Sequence, residues 1–316
     1  MQLINPKSTI DFMSKRKLAM ALSAILLLVS IASLAVRGLN FGIDFTGGTL
    51  IEVGYPESAD LVKVREDLSS AGFDSAVVQH FGTSQDVLIR LAPTGESSAD
   101  LSTRVLGALN ADENIDLRRV EFVGPQVGDE LTEDGGLAML AALAGILIYV
   151  YFRFEIRFSL GAVMALVHDV MITLGIFSIL QLQFDLTVLA AVLAVIGYSL
   201  NDTIVVYDRV RENFRKMRKG TPTEVINRSV TQTLARTVMT SVTTLLVLFA
   251  LFTFGGEIIH AFSQALIIGV LVGTYSSIYV ASSLALILGV SKEDLMPVEK
   301  EGADDPDADG PPIQHG

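Results

Sequence analysis

Four stretches of the chain carry no charged residue, Leu18 to Val36, Gly135 to Phe152, Thr237 to Gly256 and Ala261 to Ser291. Two more are interrupted only by His168 and Asp169, or by Asp202. Since about 20 predominantly apolar residues cross a bilayer, this pattern predicts six spanning helices. They fall at about residues 18–37, 135–152, 159–180, 186–207, 237–256 and 263–289. Core helices of a soluble protein would show shorter runs and polar faces.

Between the first two runs, at residues 38–134, the period changes. After the Gly47-Gly48 turn, Thr49 to Tyr55 alternates like a half-buried strand. Ser58 is placed to cap a helix reaching Ala71, with Leu61, Val64, Leu68 and Ala71 on one face. Ser75 to Phe81 and Asp86 to Leu91 read as strands joined by Gly82 to Gln85. Ser98 opens a second helix to Asn110 with Leu101, Val105 and Leu109 inward, and Leu117 to Val123 is the last strand. This β-α-β-β-α-β order predicts an extracytoplasmic α+β, ferredoxin-like domain inserted into a membrane α-helical chain. The remaining outer turns are only a few residues long. Residues 1–17 form a short N-terminal segment, and the Asp-, Pro- and Gly-rich residues 291–316 read as a disordered tail.

Composition agrees with a membrane protein: 50% of residues are hydrophobic, 18% are charged, and mean hydropathy is +0.50. Basic residues set the orientation, not the net charge of −12. Lys7, Lys15, Arg16 and Lys17 precede the first helix; Arg153, Arg157 and eight basic residues from Asp208 to Arg236 lie on the same side. Both termini are therefore expected in the cytoplasm. Lys15-Arg16-Lys17 and Ser33-Leu34-Ala35 imitate a signal peptide, but the apolar run is long for one, so an uncleaved anchor is expected.

Several chemistries drop out. With no cysteine there is no disulfide or thiolate metal site, and histidines at 80, 168, 260 and 315 lack zinc spacing. No phosphate-binding Gly-x-x-x-x-Gly-Lys-Ser/Thr loop is present. From Gly38 to Asp134 there are 18 acidic and six basic residues, an anionic surface unsuited to nucleic acid. No cofactor and no enzymatic activity are expected.

Asp202 stands alone as a charge within Leu186 to Tyr207. A carboxylate inside a spanning helix costs roughly 2.5 to 3.5 kcal/mol on insertion scales, so it faces a bundle interior and serves an ion or proton path. At about 1.5 Å per residue it lies roughly 24 Å from Leu186, in the cytoplasmic third. Arg236, at the start of the fifth span, reaches a similar depth, which makes an Asp202–Arg236 pair geometrically feasible. At 100° per residue, Ala194, Gly197, Tyr198, Asn201 and Asp202 share a small, polar face of the fourth span. In the third, Gly161, Ala162, Ala165, His168, Asp169 and Thr173 do the same; in the fifth, Thr233, Arg236, Thr240, Thr243 and Thr244. These faces, and Gly269 with Gly273 in the sixth span, serve either as packing glue or as a proton path.

Four segments in order resemble the SecD/SecF family of the RND superfamily, in its six-helix SecF form. They are Phe41-Gly-Ile-Asp-Phe-Thr-Gly-Gly-Thr49, Ala165 to Val170, Gly197 to Asn213 and Gln232 to Thr237. The resemblance implies one six-helix half of a twelve-helix assembly, completed by SecD. It also implies association with the SecYEG channel and the motor SecA, a translocating preprotein, membrane lipid around the helices, and YajC as a further candidate partner. It implies a bacterial inner-membrane location with the large loop periplasmic, and use of the proton-motive force to complete translocation after the ATP-driven step. Asp202 matches the family's proton-transfer carboxylate and Arg236 its nearby arginine; His168, Asp169 and Asn201 are secondary candidates. Half of an RND-type proton-coupled small-molecule exporter, and a purely structural subunit, are the alternatives.

Overall fold

The computed structural model describes residues 9–94, 96–109, 115–217 and 219–291. The tail expected to be disordered lies outside the described residues apart from Ser291, as does Lys7. From the N-terminus, a 3-10 turn (Met13–Lys15) leads into α1 (Arg16–Arg37). Then come β1 (Asn40–Phe41), α2 (Ile43–Thr46), β2 (Gly48–Gly54), α3 (Leu61–Ser70), β3 (Val77–Phe81), β4 (Thr83–Leu91), α4 (Ser98–Leu109) and β5 (Asp116–Val123). The chain continues through α5 (Pro125–Arg153), α6 (Ile156–Leu180), β6 (Gln183–Phe184), α7 (Leu186–Lys216) and α8 (Pro222–Phe254). Finally α9 (Glu257–Ser276) runs through a π turn (Ser277–Ala281) into α10 (Ser282–Ile287).

Six of these helices are long and apolar enough to cross a membrane, the last being α9 to α10 as one span. The inner three are α6, α7 and α9, while α1, α5 and α8 leave most of their apolar surface uncovered, as lipid-facing helices do. Several helices outrun their apolar stretches. The second begins at Pro125, with proline at a first-turn position where no N–H is needed, well before the apolar run at Gly135. The fifth begins at a capping box between Thr221 and Glu224, far ahead of Thr237. Its N-terminal part docks on α7, where Asn213 Nδ2 donates to Ser229 Oγ at 2.8 Å and to Gln232 Oε1 at 2.9 Å. Arg153 pairs with Asp208 at 2.6 Å and Arg211 with Glu155 at 3.1 Å at the same end. Polar interhelix bonds, invisible to a hydropathy window, extend these helices.

The insertion after α1 is the expected ferredoxin-like unit: an antiparallel sheet in the order β3-β4-β2-β5 with α3 and α4 on one face. Its core holds Ile51, Val53, Leu68, Val87, Ile89, Leu101 and Val105. Two local expectations change. Helix α3 starts at Leu61, because Asp60, not Ser58, accepts the Val62 N–H at 2.9 Å. The β3–β4 turn is tighter than the four residues expected, since Gly82 at φ +74° reverses the chain and β4 already begins at Thr83.

The glycine-rich segment after α1 is structured. β1 pairs in parallel with β6, Asn40 opposite Gln183 and Phe41 opposite Phe184. Gly42 N donates to Phe184 O at 2.8 Å, and Asp44 Oδ2 accepts from Leu186 N, the first residue of α7, at 3.0 Å. Phe41, Phe45 and Phe184 stack together. From β4, Arg90 donates to Asn40 Oδ1 at 2.9 Å and to Phe41 O. Burial lowers the pKa of its guanidinium, which nonetheless stays charged at neutral pH. A side chain at Gly128 of α5 would strike the backbone of Gly47, so α5 passes flush against this segment.

Candidate functional site

Asp202 is 4% exposed, its side chain turned into the bundle from α7. Its partners are neutral hydroxyls: Thr237 Oγ1 of α8 donates to Oδ1 at 3.1 Å, and Ser277 Oγ of the π turn donates to Oδ2 at 3.3 Å. Hydroxyls donate to a carboxylate and equally accept from a protonated carboxyl group. The site therefore accommodates either charge state without new partners.

A second buried carboxylate lies beside it. Asp169 of α6 is fully buried and His168 nearly so. His168 Nδ1 lies 2.8 Å from Asp169 Oδ1, while Asp169 Oδ2 accepts from Ser276 Oγ at 2.6 Å and from Ser199 Oγ. Ser199 precedes Asp202 by one helical turn on α7, and Ser276 precedes Ser277, so the carboxylates are linked through one turn of α7 and one peptide of the sixth span. His168 Nε2 is buried without a hydrogen-bond partner among the described residues. Above Asp202, Tyr198 Oη donates to Ser241 Oγ at 3.1 Å, and Ser241 bonds Thr274 at 2.7 Å.

The π turn is held at both ends by α7. Ser277 opens it on Asp202, and Tyr207 Oη donates at 2.8 Å to the carbonyl of Ala281, which closes it. Such bulges recur at functional sites because the widened turn frees backbone groups and interrupts the α ladder. Small residues let the helices close in around it. Gly269 faces the Val195 side chain and Gly273 faces Ser199, which gives this small pair the packing role.

The predicted face of α6 is buried, including Gly161, Ala162, Ala165, His168, Asp169 and Thr173. Two other faces turn out differently. On α7, Ala194, Gly197 and Asn201 are exposed, and nothing lies within 4 Å of a side chain built at Gly197. Asn201 therefore does not join Asp202. The buried stripe instead carries Val188, Ala191, Val192, Val195, Ser199, Asp202, Thr203 and Val206. On α8, Thr233, Thr237 and Ser241 point inward, while Arg236, Thr240 and Thr243 are exposed. No ion pair joins Arg236 to Asp202 among the described residues; Arg236 lines a shallow crevice with Asp208, Arg209, Glu212 and Gln232. The neighbour Thr237, 100° around the helix, makes the contact expected of Arg236. Polarity alone does not say whether such a face packs within its own chain.

At the end of the bundle that carries the sheet, a cavity of about 650 Å³ separates the open face of the sheet from the ends of the helices. Gln79, Gln181, Gln183, Gln264, His80 and His260 contribute to its lining. It lacks the mainly apolar walls of a drug-sized binding site. No group of side chains suited to a metal ion occurs among the described residues.

Residues 106–291 match the family described as protein export membrane protein SecD/SecF, C-terminal, and residues 32–55 match the SecD/SecF GG motif. The chain is 56% identical over 308 residues to the protein translocase subunit SecF of Vibrio alginolyticus, covering 96% of this chain and 98% of that one. It is 49% identical over 311 residues to the SecF subunit of Escherichia coli O157:H7, covering 96% of each. Among solved structures, it is similar to SecDF of Thermus thermophilus, described as a translocon-associated membrane protein, with 37% identity over 91% of this chain and a TM-score of 0.82. The chain spans 39% of the length of that solved chain.

Proposed function

The chain belongs to the SecF family of protein translocase subunits, within the SecD/SecF proteins, and on that footing we propose that it couples proton movement through Asp202 to preprotein export. It is a multi-pass membrane protein with an accessory role in Sec translocation. We infer that it sits in a bacterial inner membrane with both termini cytoplasmic and the ferredoxin-like domain periplasmic. It joins SecD, with SecYEG, SecA and YajC as further partners. The proton-motive force then completes translocation after the ATP-driven step of SecA.

The observation that carries this is the burial of Asp202 among hydroxyls in a spanning helix, without a cation in ion-pair contact among the described residues. A carboxylate costs least there when it can be neutralised by a proton. One proton crossing 100 mV releases about 2.3 kcal/mol, enough to bias a two-state equilibrium roughly fiftyfold if fully coupled. Asp169 and His168 serve as a linked second centre.

The pairing with SecD has its own support. Arg236 and Asn201 are exposed on spanning helices, where lipid offers such groups no hydrogen bonds. A second helical half laid over α7 and α8 would cover them. The Thermus thermophilus SecDF chain, much longer than this one, contains a region similar to it.

The test uses vesicles containing the complex with SecD and the channel. Asp202→Asn should leave subunit amounts unchanged and abolish the dependence of preprotein export on an imposed proton gradient. Retained proton-driven export would remove the proposal. Export of a small molecule without any bound preprotein or channel would favour the exporter reading.

A further inference from the structure

We propose that Asp44 is the residue through which the fourth span and the outer domain move as one body, so that a displacement at Asp202 is delivered outside the membrane. This rests on the proposed function, which gives Asp202 its work. The first N–H groups of α7 are paired by two different parts of the chain. An isolated helix start leaves such donors unpaired. Here Asp185 accepts from Val188 N at 2.8 Å, and Asp44, from a different part of the chain, accepts from Leu186 N at 3.0 Å. Both carboxylates also complement the positive end of the helix dipole.

The glycine-rich connections at both ends of the outer domain are the natural places for a hinge, yet neither is free. The first is bound to the fourth span by the β1–β6 pair, the Gly42 N to Phe184 O bond and the stacked phenylalanines. A side chain at Gly42 would meet Asp185 Cβ and Gln183 Nε2 at 3.2 Å, so the two segments approach as closely as glycine permits. It is bound to the sheet through Arg90. The second connection is the unbroken start of α5, pressed on Gly47. Asp202 sits on the helix that Asp44 caps, roughly 24 Å further along at about 1.5 Å per residue. A helix is stiff along its axis, so an axial displacement at Asp202 is passed on to the end that Asp44 caps.

Two experiments on the whole complex in vesicles test this. Asp44→Ala removes the acceptor, and Asp44→Asn keeps one, since asparagine caps as well as aspartate. Proton-driven export should fall about fivefold in Asp44→Ala, the ratio by which losing one cap shifts an equilibrium. It should largely survive in Asp44→Asn, and acid-induced protonation of Asp202 should persist in both. Equal loss in the two variants, or no loss in Asp44→Ala, would overturn the inference while leaving the proposed function standing. Only unchanged export in Asp202→Asn would remove that. The second experiment locks the joint. Phe41→Cys with Phe184→Cys places two cysteines at paired positions in a chain that has none. Export by the oxidised form should equal that of the same variant after reduction. Loss on oxidation would show that the joint opens during work and would refute a single body.

Discussion

Ser277 Oγ lies 3.3 Å from Asp202 Oδ2 at the first residue of the π turn, and the preceding Ser276 donates at 2.6 Å to Asp169 Oδ2. Consecutive hydroxyls of one helix thus hold buried carboxylates on two others. A shift of the turn that shortens one bond changes the other, which couples the surroundings of the two carboxyl groups.

Removing one of these donors leaves a buried carboxylate short of a partner, at a cost of about 1 to 3 kcal/mol. Ser277→Ala should therefore weaken proton-driven export severalfold at normal membrane levels. Thr237→Val should behave alike and Thr237→Ser should not, because serine keeps the hydroxyl. Gradient-dependent export from vesicles measures all three.

Asp169 has a heavier structural role. Asp169→Ala would strand His168 and Ser199, both buried, each stranded group costing about 1 to 3 kcal/mol, and would leave Ser276 only its 3.4 Å bond to the Gly273 carbonyl. The expected outcome is a marked fall in the amount of folded protein in the membrane, read by protease resistance and thermal stability in detergent. Asp202→Asn, with its partners still bonded, should show little of that fall.

The face of α7 at Gly197 is open in this chain. Gly197→Leu should leave the subunit folded while reducing co-purification of SecD, because a bulky side chain would stand where the other half packs. Gly269→Leu should do the reverse damage. Its side chain meets Val195 inside this subunit, so the subunit itself should be depleted.

The sequence was most legible where one physical rule dominates. Charge-free runs of spanning length gave six helices, and strict alternation gave the order of the outer domain. The α6 face could be read because its small and polar residues all pack within this chain. The faces of α7 and α8 were not legible in the same way. Arg236 and Asn201 are polar residues exposed on this chain, while Ser199, Ser276 and Ser277, which hold the carboxylates, look like ordinary small residues in apolar helices. Nor does any local pattern foretell a π turn, or that Asp44 would cap a helix far away in sequence. Such contacts are fixed by tertiary packing, and periodicity reports only the element on which a residue lies.

Whether Asp202 gains and loses a proton as the complex works is decided by infrared difference spectroscopy. The sample is the reconstituted complex with isotope-labelled aspartate, taken through an acid step. A protonated-carboxyl stretching band that shifts with the label and disappears in Asp202→Asn is the predicted result. An identical band in wild type and variant would contradict it.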